Sequence, residues 1–198
     1  AIDPAGSNVF SSTQGTPYSF TTNSQITQTH YRVRNDDGIE GGENSISYQL
    51  GDGKGTVSET DDTYVDADSP TVNNGTDVTM LSDGLSPHSH PLLKFPNIFG
   101  TSPNQIPLGS TIYSASIEVY VTNGSGSPVT VYELTEGWNE NEATWNESST
   151  GVSWVNAGAD GTGSHATVAE GDFPPSSSGT KISVEVTSSL QNWSDGST

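Results

Sequence analysis

Residues 111–124, TIYSASIEVYVTNG, alternate between apolar and polar side chains until they stop at an Asn-Gly turn. Tyr113, Ala115, Ile117, Val119 and Val121 fall on one side, and Ser114, Ser116, Glu118 and Tyr120 on the other. A period of two belongs to a strand with one face on a core and one in water, because successive Cβ atoms leave opposite sides of the pleat. The pattern repeats outward from there. KISVEV at 181–186 sets Ile182, Val184 and Val186 inward against Lys181, Ser183 and Glu185, and VTVYEL follows the Asn-Gly turn at 129–134. LLKF at 92–95 is a further strand bounded by Pro91 and Pro96, and TDVTML at 76–81 is another. Turn-bounded strands without intervening helical stretches predict an all-β antiparallel sandwich. One short helix is expected where Thr187 or Ser188 caps SSLQNW and places Leu190 and Trp193 on one side.

Composition agrees and narrows the partners. In 198 residues there are 22 Gly and 11 Pro, and only 29% are hydrophobic, a mixture suited to short strands and many turns. Five Lys plus Arg against 24 Asp plus Glu give a net charge of −19, which repels nucleic acid, anionic lipid and polyanionic sugars. No apolar run is long enough to insert into a membrane. Without cysteine there is no thiol chemistry, disulfide or cysteine-held zinc. Acidity, scarce lysine and Thr/Ser/Asn/Gly richness point to an extracellular or cell-surface location.

Residues 1–55 read differently from residues 56–198. The first 25 have sparse apolar residues at Val9, Phe10, Tyr18 and Phe20, too few for a core, so they are expected to form an extended N-terminal arm of short strands that needs a host sheet. Half-buried strands are also expected in ITQTHYRVRND and SISYQL, separated by the acidic turn NDDGIEGGEN.

DTYVDADSPTVNNGTDVTML, PLLKF, EGWNENEATWN and KISVEVTSSLQNW together resemble the DNRLRE family of extracellular domains, related to the alginate-binding carbohydrate-binding module family 96. The resemblance covers about residues 60 to 198. It implies a jelly-roll β-sandwich that is non-catalytic and acts as a surface, adhesion or sugar-binding module. Two departures stand out. Members of that family usually add two strands after the helix-like segment, whereas this chain stops at Thr198; Pro96 and Asn97 stand where the pattern commonly has an Asp. A sandwich lacking its closing strands leaves an edge beside KISVEV, and residues 7–22 are the expected donors, to their own domain or to a neighbouring copy. Donation to a copy would build a filament. Two functions follow: a structural or adhesive subunit assembling by strand complementation, and alternatively a module recognising an extracellular polysaccharide.

Asp61, Asp62, Asp66 and Asp68, followed by Asn73 and Asn74, are a candidate calcium site by ligand type and density, with a merely hydrated acidic loop as the competing reading. Asn35, Asp36, Asp37, Glu40 and Glu43 form a second, weaker cluster. Trp138, Trp145 and Trp154 are candidates for stacking on sugar rings, although their spacing, like that of Trp193, favours burial as anchors. His88 and His90 in SPHSHP are expected on a surface loop. Glu136, Glu140, Glu142 and Glu147 stand in no catalytic context, and no enzymatic activity is expected.

Overall fold

A computed structural model of the chain describes residues 60–102 and 105–196 in full, together with the backbone of four strands nearer the N-terminus. Those four are β1 (Ser7–Ser11), β2 (Tyr18–Thr21), β3 (Gln28–His30) and β4 (Ser47–Gln49). They are followed by β5 (Asp61–Asp66), β6 (Thr79–Ser82), β7 (Ser89–Lys94), β8 (Ser116–Asn123), β9 (Val129–Leu134), β10 (Glu147–Ser149), β11 (Val152–Ser153), β12 (His165–Phe173) and β13 (Lys181–Glu185). The helix α1 (Thr187–Ser194) comes last. Two antiparallel sheets dominate, a five-stranded one ordered β12-β9-β1-β7-β5 and a four-stranded one ordered β13-β8-β2-β6. The fold is all-β apart from that helix, as the period of two predicts.

The alternating strands supply the core between the sheets. Ile117, Val119 and Val121 from β8 with Ile182 and Val184 from β13 meet Leu93 from β7, Val129 and Val131 from β9, and Phe173 from β12. The opposite faces of β8 and β13 stay wet, where Lys181 pairs with Glu118 at 2.6 Å. Tyr113 is the exception in that stretch: it precedes β8, beyond the reach of the strand's alternation, and is 43% exposed. The helix closes one end of the sandwich with Leu190 and Trp193. Its expected side-chain cap is absent; the Thr187 hydroxyl instead accepts a hydrogen bond from the Ala115 amide at 2.9 Å, tying the helix to the lead-in of β8. The Trp193 indole donates to Glu133 at 2.6 Å, and the Ser189 hydroxyl donates to Glu170, whose carboxyl burial pushes up.

The N-terminal strands do not lie beside β13, where the sequence reading put them. By backbone register β1 runs between β7 and β9, with Val9 opposite both Leu92 and Tyr132, and β2 runs between β6 and β8. Without β1, strands β7 and β9 would face each other across roughly two strand spacings, about 9–10 Å, each with an unpaired ladder. β13 pairs with β8, and its other flank turns the corner onto β12, where a Cβ on Gly171 would come within 3.0 Å of Val184. β13 remains the terminal strand of its sheet, hydrogen-bonded to β8 alone among the described residues. The strands expected in 26–36 are described as far as Gln28–His30, which pairs with Ser47–Gln49; the remainder lies outside the described residues.

Pro91 lies inside β7 and does not bound it. The pairing of β7 with β1 runs from Lys94 to Leu92 and stops there, so the missing N–H of Pro91 costs no ladder bond on that side. Because Phe173 is fully buried between the sheets, Phe173→Ala should lower the unfolding free energy by about 3–5 kcal/mol, read from urea denaturation.

Candidate functional site

Around β7 the five-stranded sheet is buried on both sides. Its inner face meets the four-stranded sheet, and its outer face carries a second core made by Val65, Leu92 and Leu134 with Trp138, Ala143, Trp154 and Ala159, against which Trp145 packs. The strand residues alternate accordingly: in β7 Leu93 goes inward, while Leu92 goes outward beneath a roof formed by residues 138–159. An indole buries about 150–250 Å², a gross gain of roughly 4–6 kcal/mol at 25 cal/mol per Å².

The roof is held by hydrogen bonds from acidic and amide side chains. Asn73 donates through Nδ2 to the Glu140 and Ala143 carbonyls at 2.7 and 2.8 Å, and Glu140 accepts the Asp62 amide at 2.8 Å. Glu136 accepts the Val155 amide, Glu142 the Thr150 amide and Glu147 the Gly151 amide. These four glutamates are therefore loop anchors, each holding a backbone N–H. Trp154 donates Nε1–H to the Thr144 carbonyl at 2.8 Å and is 5% exposed. Trp138 is 6% exposed, its ring over the Lys94 ammonium 5.1 Å from the centroid. Releasing either indole to hold a ligand would forfeit more than a ring contact of about 0.5–1.5 kcal/mol returns.

Trp145 differs: of the four tryptophans it alone is part-exposed. Its six-membered ring lies on Gly158, where a Cβ would stand 2.5 Å from ring carbons, and Gly158 takes the left-handed φ of 74° that suits glycine. The Gly158 amide donates to the Trp145 carbonyl at 2.6 Å. Beneath sits His90, ring centroids 5.2 Å apart, its Nδ1 2.8 Å from the Gly158 carbonyl and therefore in the tautomer that donates there. His90 is 2% exposed, not on a surface loop: β7 begins at Ser89 and carries it into the outer core. His88 stays part-exposed, 6.0 Å from His90. Sequence spacing offered no way to separate Trp145 from its two neighbours; the glycine thirteen residues on, which makes room for its ring, was the hidden signal.

The aspartates of the candidate calcium site are divided. Asp61 and Asp62 leave opposite faces of β5, Asp61 pairing with Lys94 and Asp62 being buried. Asp66 Oδ1 accepts from the Asp68 amide and the Ser89 hydroxyl, both at 3.1 Å. Among the described residues no group of three or more His, Asp or Glu could hold a metal ion. The cluster at residues 35–43 lies outside the described residues. A shallow trough of about 550 Å³ between residues 124–126 and 175–178 is lined by Gly, Ser and Pro, with no aromatic or charged side chain.

A part-exposed indole packed on a glycine and a histidine, on a loop roofing a β-sandwich, is the setting for the likeness to a known family. The family model for carbohydrate-binding module family 96 matches residues 54–164, more than half of the chain. The chain belongs to carbohydrate-binding module family 96. The family 96 match takes in β5 to β11 and the whole tryptophan roof, and ends just before β12, short of the 198 that the sequence reading extends it to. No curated protein matches the chain, and no solved structure does.

Two outcomes follow for this site. Gly158→Ala forces a methyl into the Trp145 ring at a left-handed φ and should cost about 2–4 kcal/mol in denaturant unfolding. Burial pulls His90 below its ordinary value of 6.5, against the opposing pull of the Gly158 carbonyl and Asp160. The unfolded chain then takes up a proton that the folded one resists, so the stability this group contributes is complete above pH 6.5 and is lost as pH falls. Unfolding free energy should decline below that pH with a slope of at most about 1.4 kcal/mol per unit from this group, and His90→Gln should flatten it.

Proposed function

We propose that the protein is a non-catalytic, extracellular carbohydrate-binding module, with a sandwich of jelly-roll type, that holds a polysaccharide through the part-exposed face of Trp145. Membership of family 96 supports the sugar-binding class, and the observation that carries the site is that Trp145 alone of the four indoles keeps surface available for a pyranose ring. Chain connections that pass from one sheet to the other, as from β7 to β8 and β8 to β9, support the jelly-roll assignment. A non-catalytic role is supported by Glu136, Glu140, Glu142 and Glu147 being engaged with backbone amides.

The other reading, an adhesive filament built by exchanged strands, has less behind it, because the family match is to a carbohydrate-binding module. Among the described residues no helix is long and apolar enough to cross a membrane.

A glycan array with the full chain tests the reading. At least one polysaccharide should be retained, and Trp145→Ala should weaken that binding by about 2 kcal/mol or more, some thirtyfold, as loss of a central aromatic contact does. The Trp145→Ala chain should keep its circular dichroism. An array without a retained glycan, or retention unchanged in Trp145→Ala, would remove the proposal.

A further inference from the structure

The segment that follows β5 joins the two parts of the molecule that meet at Trp145. At its base the Ala67 amide donates to the His88 carbonyl at 2.9 Å and the Ser89 hydroxyl donates to Asp66 at 3.1 Å. These bonds fasten it to the start of β7, the strand that carries His90. Further along, the same segment holds the roof on both sides of the indole. Two residues before Trp145 the Ala143 carbonyl accepts from Asn73 Nδ2 at 2.8 Å, and one residue after it the Asn146 amide donates to the Pro70 carbonyl at 3.2 Å. Asn73 is the centre of this grip. Its Nδ2 gives a second proton to the Glu140 carbonyl at 2.7 Å, and its Oδ1 accepts the Gly75 amide at 3.3 Å, so both protons and the oxygen of the side-chain amide are in use. The two segments approach closely, because a Cβ on Gly75 would run into the Glu140 carbonyl. Asn74 serves β5 instead, donating to the Tyr64 carbonyl at 2.9 Å.

We infer that Asn73 is a positioning residue for the sugar contact: by tying the roof beside Trp145 to a segment anchored on β7, it sets where the indole stands against Gly158 and His90. The inference rests on the module reading above and adds to it the side chain through which the indole is placed. Asparagine suits the task chemically. A neutral amide offers two N–H donors on one nitrogen and an acceptor on the same group, whereas an aspartate would set a carboxylate against two carbonyl oxygens and a serine has one proton to give. Without Asn73 the Glu140 and Ala143 carbonyls lose their donors and the roof shifts to find others, although Trp145 itself is unchanged.

Affinity gel electrophoresis of the full chain tests this in Asn73→Ala, Trp145→Ala and the double variant, with alginate, galactomannan, xylan and mixed-linkage β-glucan as the polymers in the gel. For the polymer that retards the chain most, Asn73→Ala should weaken binding about tenfold or more. The double variant should bind no more weakly than Trp145→Ala, because a residue acting through the indole adds nothing once the indole is gone. With no polymer present, the indole N–H signal of Trp145 should move in Asn73→Ala while that of Trp193 stays. Ile182→Val, a small loss of packing between the sheets, should leave retardation unchanged. If circular dichroism shows Asn73→Ala unfolded, Asn73→Ser takes its place with the same expectations. Unchanged retardation in a folded Asn73 variant, or losses that add in the double variant, would overturn the inference and leave the module reading standing. Retardation that persists in Trp145→Ala, or retardation by none of the four polymers, would overturn both.

Discussion

Two-sided burial of β7 is the constraint from which the rest of the molecule follows. With Leu93 pointing into the sandwich and His90 and Leu92 pointing out of it, the five-stranded sheet cannot present its outer face to water, and something apolar must cover it. The chain supplies that cover as a loop, which has too little regular structure to satisfy its own backbone. Carboxylates and amides from Asn73, Glu136, Glu140, Glu142 and Glu147 do so instead. Hydrogen bonds thus tie the cover down at several points, and Trp145 packs there against Gly158 and His90.

The strands were legible where alternation is strict; β12, although one of its faces is largely exposed, was not read from its sequence HATVAEGDF. In β8 and β13 the buried positions are the ones alternation selects, and Leu190 and Trp193 in α1 obey the helical spacing. Legibility failed where burial is two-sided. β7 reads as SHPLLK, without alternation and with a proline, so His90 looked like part of a loop when it lies under an indole. Alternation also overran its strand at Tyr113, since a pattern does not announce where hydrogen bonding begins. The place of β1 and β2 was out of reach for a different reason: Val9 and Phe10 call for a host sheet, but nothing local says which gap in which sheet will receive them.

Of the site, residue types were readable and roles were not. Three tryptophans in one segment look equivalent in the sequence, and only packing separates Trp138 beside Lys94 and Trp154, whose indole N–H donates to the Thr144 carbonyl, from the part-exposed Trp145. Density of acid says as little about arrangement. Asp61 to Asp68 suggest a cation site by count, yet strand geometry sends neighbouring carboxylates to opposite faces, and Lys94 takes one of them. The roof's own carboxylates, Glu136, Glu140, Glu142 and Glu147, act as acceptors for loop amides.

The four indole N–H signals in an amide correlation NMR spectrum, followed while a glycan retained by the protein is titrated in, test the central claim most directly. Trp154 and Trp193 have their N–H groups committed to Thr144 and Glu133, and Trp138 is buried, so the largest shift should belong to Trp145. A titration in which Trp145 stays still while the glycan saturates the protein would contradict the account.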